Sequence, residues 1–429
     1  MSIRTQQVAK QRPSLGELRT RMDSTKIAGR STTWYLSGWR LGLVFLVLAI
    51  LLPTLSGNEA IVETGIGVGI FVILALGLNI VVGYAGLLDL GYVAFFAIGA
   101  YTVALGTGGL VANSAGKPVV LPTISWWLLL PAAAILAALF GVVLGAPTLR
   151  LRGDYLAIVT LGFGEIVPLV FNNVPFFFGP LGLSANAPDT IGPLDFGNPV
   201  YRDSYYYLTL ALVVLVILGV TSLRDSSLGR AWIAIREDET AAATSGVNLV
   251  RTKLLAFGLG ALVGGIGGAL FAGDLGHVDY TLFSFQISIT VLIMIVLGGL
   301  SSIPGVILGA IILRFFDAYL LKQIDSTVHS WAVVVNPNGF LHFLNGVDFN
   351  VLSLLIYGIL LVVMVRVRPQ GLIPDRRRRR ELHGEGASVE GTSAVGLLAR
   401  EEAGDEDDSA LADEASTYAE AGSDAAGRE

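Results

Sequence analysis

Two carboxylates lie inside apolar sequence, where a charged group needs a reason to be. Asp89 sits within NIVVGYAGLLDLGYVAFFAIGAY (residues 79–101). Glu165 lies in the run Tyr155–Phe178, together with Pro168 and the pair Asn172–Asn173. If that run is helical, Glu165 stands about 16 Å from Asp154, near the middle of a bilayer. A carboxylate exposed to lipid at that depth costs at least ~2.5 kcal/mol, so Glu165 is expected to meet a hydrogen-bonding partner or an aqueous cavity. The chemistry open to the two acids is structural hydrogen bonding, or the lining of a path for a polar solute, a proton or an ion. Bond-making chemistry has little support. No G-x-x-x-x-G-K-[ST] occurs, and Gly116-Lys117-Pro118 lacks both the hydroxyl and the upstream glycine. The four histidines (His277, His329, His342, His383) never take metal-ligand spacing, no G-x-S-x-G is present, and there is no cysteine. The chain is read as a non-enzyme that binds no cofactor and no nucleic acid.

The elements that position these acids follow from composition. Of the 429 residues, 53% are hydrophobic and 14% charged, and the mean hydropathy is +0.68. In soluble domains charged residues alone approach a quarter, so the pattern fits an all-α polytopic membrane protein. About ten transmembrane helices are expected: Leu36–Leu55, Ile61–Val82, a third within Asn79–Tyr101, Trp126–Ala146, Tyr155–Phe178, Tyr205–Leu223, Leu254–Ala272, Ile287–Leu300, Val306–Leu321 and Val351–Val367. Residues 1–35 read as a cytoplasmic basic arm with no cleavable signal. Residues 36–374 form the membrane domain. Residues 375–429 comprise a basic run and an acidic tail too poor in large apolar residues to fold. From residue 381 onward the chain holds fourteen acidic and two basic residues, so the membrane domain and arm are net basic.

Basic residues also orient the spans. Arg150, Arg152 and the end of the last span fall on one side, and Lys117, Arg202 and Lys322 on the other. This places both termini in the cytoplasm of a multi-pass cell-membrane protein. Glycines mark close helix contacts or a break at membrane depth. Gly83, Gly86, Gly91 and Gly99 interrupt residues 79–101, while Gly260, Gly264 and Gly268 repeat every fourth residue on one face. Gly86, Asp89, Gly91, Glu165 and Gly264 are therefore candidates for either a pathway or helix packing. Residues 179–204 show neither helical nor strand periodicity. Arg314 and Asp317 are spaced to pair on one helix face.

The longest polar interruption is 224–253, RDSSLGRAWIAIREDETAAATSGVNLVRTK, with five basic residues. Asp225, Ser226 and Ser227 can cap a helix, Gly246 can end it, and Trp232, Ile235 and Ala242 share an apolar face. Arg236, Glu237, Asp238 and Glu239 crowd beside that face. A capped helix between two spans suits either an interfacial helix on lipid or a docking helix for a soluble partner. Trp232 can seat in that partner or pack on its own membrane domain.

Five stretches together resemble the permeases of branched-chain (hydrophobic) amino acid ABC importers. They are Gly83–Tyr101, Leu151–Val167, Asp225–Asn248 (with SLGRAWIAIREDETAA), Val296–Ala310 (VLGGLSSIPGVILGA) and Arg368–Leu372 (RPQGL). The likeness covers roughly residues 36–374, and the turn Phe178–Gly182 follows the family pattern only loosely. The resemblance implies a complex with a second related permease, two cytoplasmic ATPase subunits and an extracytoplasmic solute-binding protein, all organised on the lipid bilayer. It also implies that Arg230–Gly246 docks on an ATPase. Arg230, Trp232, Ile235, Arg236, Glu237, Glu239 and Gly246 are then the docking residues, with Trp232 and Ile235 seated in a groove and Arg236, Glu237 and Glu239 at its rim. An ABC permease for urea or another small polar solute is the alternative within this class. An ion-coupled secondary transporter using Asp89 and Glu165, and a non-transporting scaffold, lie outside it. No internal repeat supports the former.

Overall fold

The structure, a computed structural model, describes residues 26–27, 30–31, 38–112, 118–148, 154–189, 202–317, 349–368 and 371–373. The basic arm apart from two short strands, the acidic tail, Lys117, Arg150, Arg152 and Lys322 lie outside the described residues. Twelve α-helices form the described architecture: α1 Gly38–Ser56, α2 Glu59–Leu78, α3 Val93–Gly108, α4 Trp126–Thr148, α5 Asp154–Asn173, α6 Arg202–Asp225, α7 Ser227–Glu237, α8 Glu239–Thr244, α9 Leu249–Leu275, α10 Phe285–Gly298, α11 Ile303–Phe315 and α12 Phe349–Val367.

Six segments are long and apolar enough to cross a membrane: Glu59–Tyr84, Trp126–Pro147, Tyr155–Asn173, Arg202–Asp225, Leu249–Leu275 and Tyr280–Gly298. Shorter apolar helices accompany them at Phe45–Leu55, Val93–Gly108, Ile303–Phe315 and Leu355–Met364. The span expected to reach Phe178 stops at Asn173. Val174 is extended (φ −86°, ψ 116°) and Pro175, which has no N–H to donate, opens a short 3₁₀ turn instead.

α2 and α9 are the interior of the bundle. Most of each is buried, whereas only about a third of the apolar windows of α4, α5 and α6 is buried. The glycine repeat of α9 explains this central place. A Cβ at Gly260 would lie 2.5 Å from Val81 Cγ2, and one at Gly268 would lie 2.1 Å from the Phe96 carbonyl oxygen. On its other side, a Cβ at Gly265 would lie 2.7 Å from the Ala133 carbonyl oxygen of α4. Only hydrogen at these positions lets the three backbones come together. Tyr92 crosses the same seam, its hydroxyl donating to the Gly260 carbonyl at 3.0 Å.

The loop after α5, read as featureless from sequence, contributes a two-residue strand, Leu183–Ser184, that pairs antiparallel with His277–Val278 after α9. Further along, the Asp189 carboxylate accepts from Ser125 Oγ at 2.5 Å and from the Trp126 amide at 3.1 Å, capping the entry to α4. At the same end of the bundle Arg202 pairs with Asp274 at 3.3 Å. The expected Arg314–Asp317 pair is present at 2.7 Å.

Candidate functional site

The site is a junction at which the five singled-out stretches meet. It starts where α2 ends. Residues Asn79–Tyr84 wind as a π-helix, a wider turn that often marks a functional position within a helix. Gly86 then takes a left-handed conformation (φ +69°), and the chain runs without helix to α3. The helical segment thus ends against close neighbours, where a Cβ at Gly86 would lie 2.5 Å from Arg236 Cγ.

Asp89 lies in the broken stretch and is 1% exposed. Its Oδ1 accepts from the Gly91 amide at 2.9 Å, while Thr160 Oγ1 of α5 accepts from the Leu90 amide at 3.1 Å. A Cβ at Gly91 would lie 2.0 Å from the Thr160 carbonyl oxygen, so α5 rests directly on this backbone. The other Asp89 oxygen has no partner among the described residues. Asp89 also lines a cavity of about 10 Å³ together with Phe95, Thr160, Phe163 and Phe257, space for about one water molecule. Asp89 is thus buried, and Gly91 and Gly264 lie in close contact with neighbouring helices and Tyr92.

The polar island folds as two helices, not one. Ser226 Oγ accepts from the Gly229 amide at 3.3 Å and caps α7. Asp238 is extended (φ −152°, ψ 112°) and its carboxylate accepts from the Thr240 and Ala241 amides at 2.7 and 3.0 Å, capping α8. The signal was in the charge run itself: an Asp followed by Glu-Thr-Ala is an N-cap with an acidic first turn. Gly246 (φ +86°) ends α8, as expected.

The hairpin turns several of the expected docking residues inward. Trp232 and Ile235 are 0% and 3% exposed, and the Trp232 indole N–H donates to the Thr252 carbonyl at 2.7 Å. Trp232 thereby anchors the island to α9 and joins the apolar core of the membrane domain, and Ile235 is buried beside it on the same helix. Glu239 is likewise taken up by Lys253, with Oε1 and Nζ 2.5 Å apart. Arg236 points inward too, its Nη1 donating to the Gly83 carbonyl at 2.7 Å and to Ser301 Oγ at 2.6 Å. The residues the island turns outward include Arg230, Glu237, Asp238, Thr240, Ala241, Ala243, Thr244, Ser245 and Gly246.

The remaining two stretches close the junction. Ser301 sits in the α10–α11 turn with φ +67°. Its amide donates to Asn79 Oδ1 at 3.0 Å and its hydroxyl to the Gly83 carbonyl at 2.6 Å. After α12 the backbone returns to the same turn, where the Leu372 and Ile373 amides donate to the Leu297 and Gly298 carbonyls at 2.9 and 3.0 Å. Sequence reasoning did not single out Asn79, Thr160 and Ser301 as site residues. Each is a small polar residue in an apolar run, a signal that a search confined to charged residues passes over.

Glu165 follows Gly164, which packs on Gly91, yet Glu165 itself is not enclosed by the junction. It is exposed on α5, and its neighbours Ile158, Ile166 and Leu169 are 64%, 53% and 52% exposed. The expected partner for its carboxylate is not among the described residues.

A helical membrane body with a structured polar hairpin tied to the end of one of its spans suits a transport permease. The sequence model for the branched-chain amino acid transport system permease component matches residues 61–365, and the chain belongs to that family. It is 38% identical over 369 residues to the high-affinity branched-chain amino acid transport system permease protein LivM of Escherichia coli (strain K12), covering 81% of this chain and 78% of that one. A probable branched-chain amino acid transport permease protein LivM of Methanocaldococcus jannaschii is 27% identical, covering 72% of this chain and 91% of that one. A shorter likeness, 32% over 130 residues, links the chain to the LivH permease protein of Escherichia coli (strain K12), covering 29% of this chain and 40% of that one. No solved structure matches the chain.

Proposed function

We propose that the chain is one permease subunit of an ATP-driven importer for branched-chain or related hydrophobic amino acids. It spans the cell membrane about ten times with both termini cytoplasmic, and works with a second related permease, two ATPase subunits and an extracytoplasmic solute-binding protein. Family membership across residues 61–365 carries this reading. The chain has no nucleotide site of its own in sequence, so work from ATP hydrolysis has to arrive through a contact. The outward side of α7 and α8, with Arg230, Glu237, Ala241 and Thr244, is the surface offered to an ATPase.

The exposed face of α5 supports a hydrophobic amino acid over a small polar solute such as urea. It carries apolar side chains with one carboxylate, Glu165, among them. An apolar surface suits a branched side chain, and a carboxylate suits an ammonium group. A lipid-facing carboxylate at mid-span is costly, so the second permease covers this face and leaves a polar cleft at Glu165. An ion-coupled transporter draws less support, since Asp89 is enclosed by packing whereas Glu165 is on the exposed face of α5.

The test is uptake of labelled leucine into vesicles containing the chain with its second permease, binding protein and ATPases. Uptake that requires ATP and an intact ATPase is expected. Uptake driven by an ion gradient with ATPase inactive overturns the reading.

A further inference from the structure

We infer that Arg236 is the positioning residue that carries movement of the island into the broken span and the α10–α11 turn. The inference rests on the docking reading of α7 and α8, and adds to it the route by which a push on their outer side reaches the membrane domain.

Three side-chain ties hold the island inward among the described residues, and they differ in where they lead. Trp232 donates to Thr252, and Glu239 pairs with Lys253. Both partners lie in the first turn of α9, which is simply the continuation of the island along the chain. Those ties hold the hairpin in place. Arg236 instead reaches Gly83, 153 positions away, and Ser301, 65 positions away.

The receiving end is built around that guanidinium. Arg236 Nη1, Ser301 Oγ and the Gly83 carbonyl form a closed triangle, with contacts of 2.7, 2.6 and 2.6 Å. Ser301 donates its hydroxyl to Gly83 and accepts from Arg236, so every group in the triangle is satisfied. The Gly83 carbonyl belongs to the π-helical end of α2, where main-chain acceptors are left without helical partners. Gly86 is empty of side chain where the Arg236 stem passes: a Cβ there would lie 2.5 Å from Arg236 Cγ. Ser301 is held at positive φ, a conformation rare outside glycine that persists only where its surroundings fix it. Those surroundings include the backbone returning after α12, in which Gly371 approaches Gly299 Cα so closely that a Cβ would lie 2.4 Å away. A hydrogen bond from a charged donor in such a site is stronger than a neutral one and is directional. Rotation or withdrawal of α7 therefore pulls on the end of α2 and on the α10–α11 turn at once.

The test uses Arg236→Met, Arg236→Lys and Ser301→Ala in the full complex reconstituted in vesicles, plus a spin-labelled cysteine pair at Thr244 and Leu88 in the otherwise cysteine-free chain. With Arg236→Met the ATPases are expected to stay bound, while leucine taken up per ATP hydrolysed falls roughly tenfold or more. Arg236→Lys, which keeps one charged donor for Gly83, recovers part of that loss. In the chain alone, the Thr244–Leu88 distance distribution broadens with Met and narrows again with Lys. A wild-type uptake-to-hydrolysis ratio in Arg236→Met overturns the inference. Loss of the ATPases from that variant also overturns it, since Arg236 then serves docking itself. If the wild-type chain fails to hold ATPases, the docking reading falls, and the distance measurement still decides the tie: an unchanged distribution in Arg236→Met refutes it.

Discussion

At the scale of single residues, burial reassigns roles that residue type alone suggests. Trp232 is the largest side chain in the island, and a buried aromatic at an interface is a common binding anchor. Here it anchors the island to α9. Trp232→Ala is therefore expected to destabilise the isolated chain by about 3–5 kcal/mol. Trp232→Phe keeps much of the buried area but loses the bond to Thr252, and is expected to cost about 1 kcal/mol. Thermal unfolding of the solubilised chain without any ATPase present checks this, and equal stability of wild type and Trp232→Ala would contradict it. Glu165 makes the complementary case. Glu165→Gln, which can still hydrogen-bond in a polar cleft, should keep more leucine uptake than Glu165→Leu. Wild-type uptake in both variants would show that the carboxylate has no role.

At the scale of elements, glycine placement was legible in sequence, but its meaning was not. The spacing of Gly260, Gly264 and Gly268 indicated one small face, and the structure shows α2 and α3 against it. The sequence pattern could not say that Gly265, on another face of the same helix, meets α4, because a close approach is a property of two helices and only one was in view. The island was legible as capped and helical between Asp225 and Gly246. Its division at Asp238 was hidden, since the same carboxylate also reads as part of a charged surface. The span boundary at Asn173 was missed because the apolar run continues through Phe176–Phe178 while the backbone turns at Val174–Pro175. Two substitutions separate packing from helix propensity. At Gly268 a Cβ would lie within 2.1 Å of backbone, whereas at Gly219 on α6 nothing lies within 4 Å. Gly268→Ala is expected to lower stability by about 1–3 kcal/mol, and Gly219→Ala to raise it by up to about 1 kcal/mol. Thermal unfolding in the same detergent compares them, and matching shifts would contradict the close-packed seam.

At the scale of the whole molecule, the junction gathers stretches that are far apart in the chain and give it its family character. Residues 79–91, Thr160, the island, the α10–α11 turn and residues 371–373 meet around one broken helix end. Long-range convergence of this kind has no periodic signal, which is why the motifs could be named from sequence while their meeting point could not. The glycines that accompany it permit the approach, and the Asn79 side-chain oxygen, the Gly83 carbonyl, Arg236 and Ser301 pair with one another in a setting where an unmatched group is expensive. The same convergence sorts the island into a side committed to the membrane domain and a side left free.

The central claim is that the free side receives the ATPase. Single cysteines at Ala241, Thr244 and Trp232, carried by an otherwise cysteine-free chain, can each bear a short photo-crosslinker in a complex with the proposed ATPase subunits. The crosslinked product is then identified by mass spectrometry. The account predicts adducts with an ATPase subunit from Ala241 and Thr244, and from Trp232 only adducts within the chain itself. An ATPase adduct from Trp232 with none from Ala241 or Thr244 would contradict it.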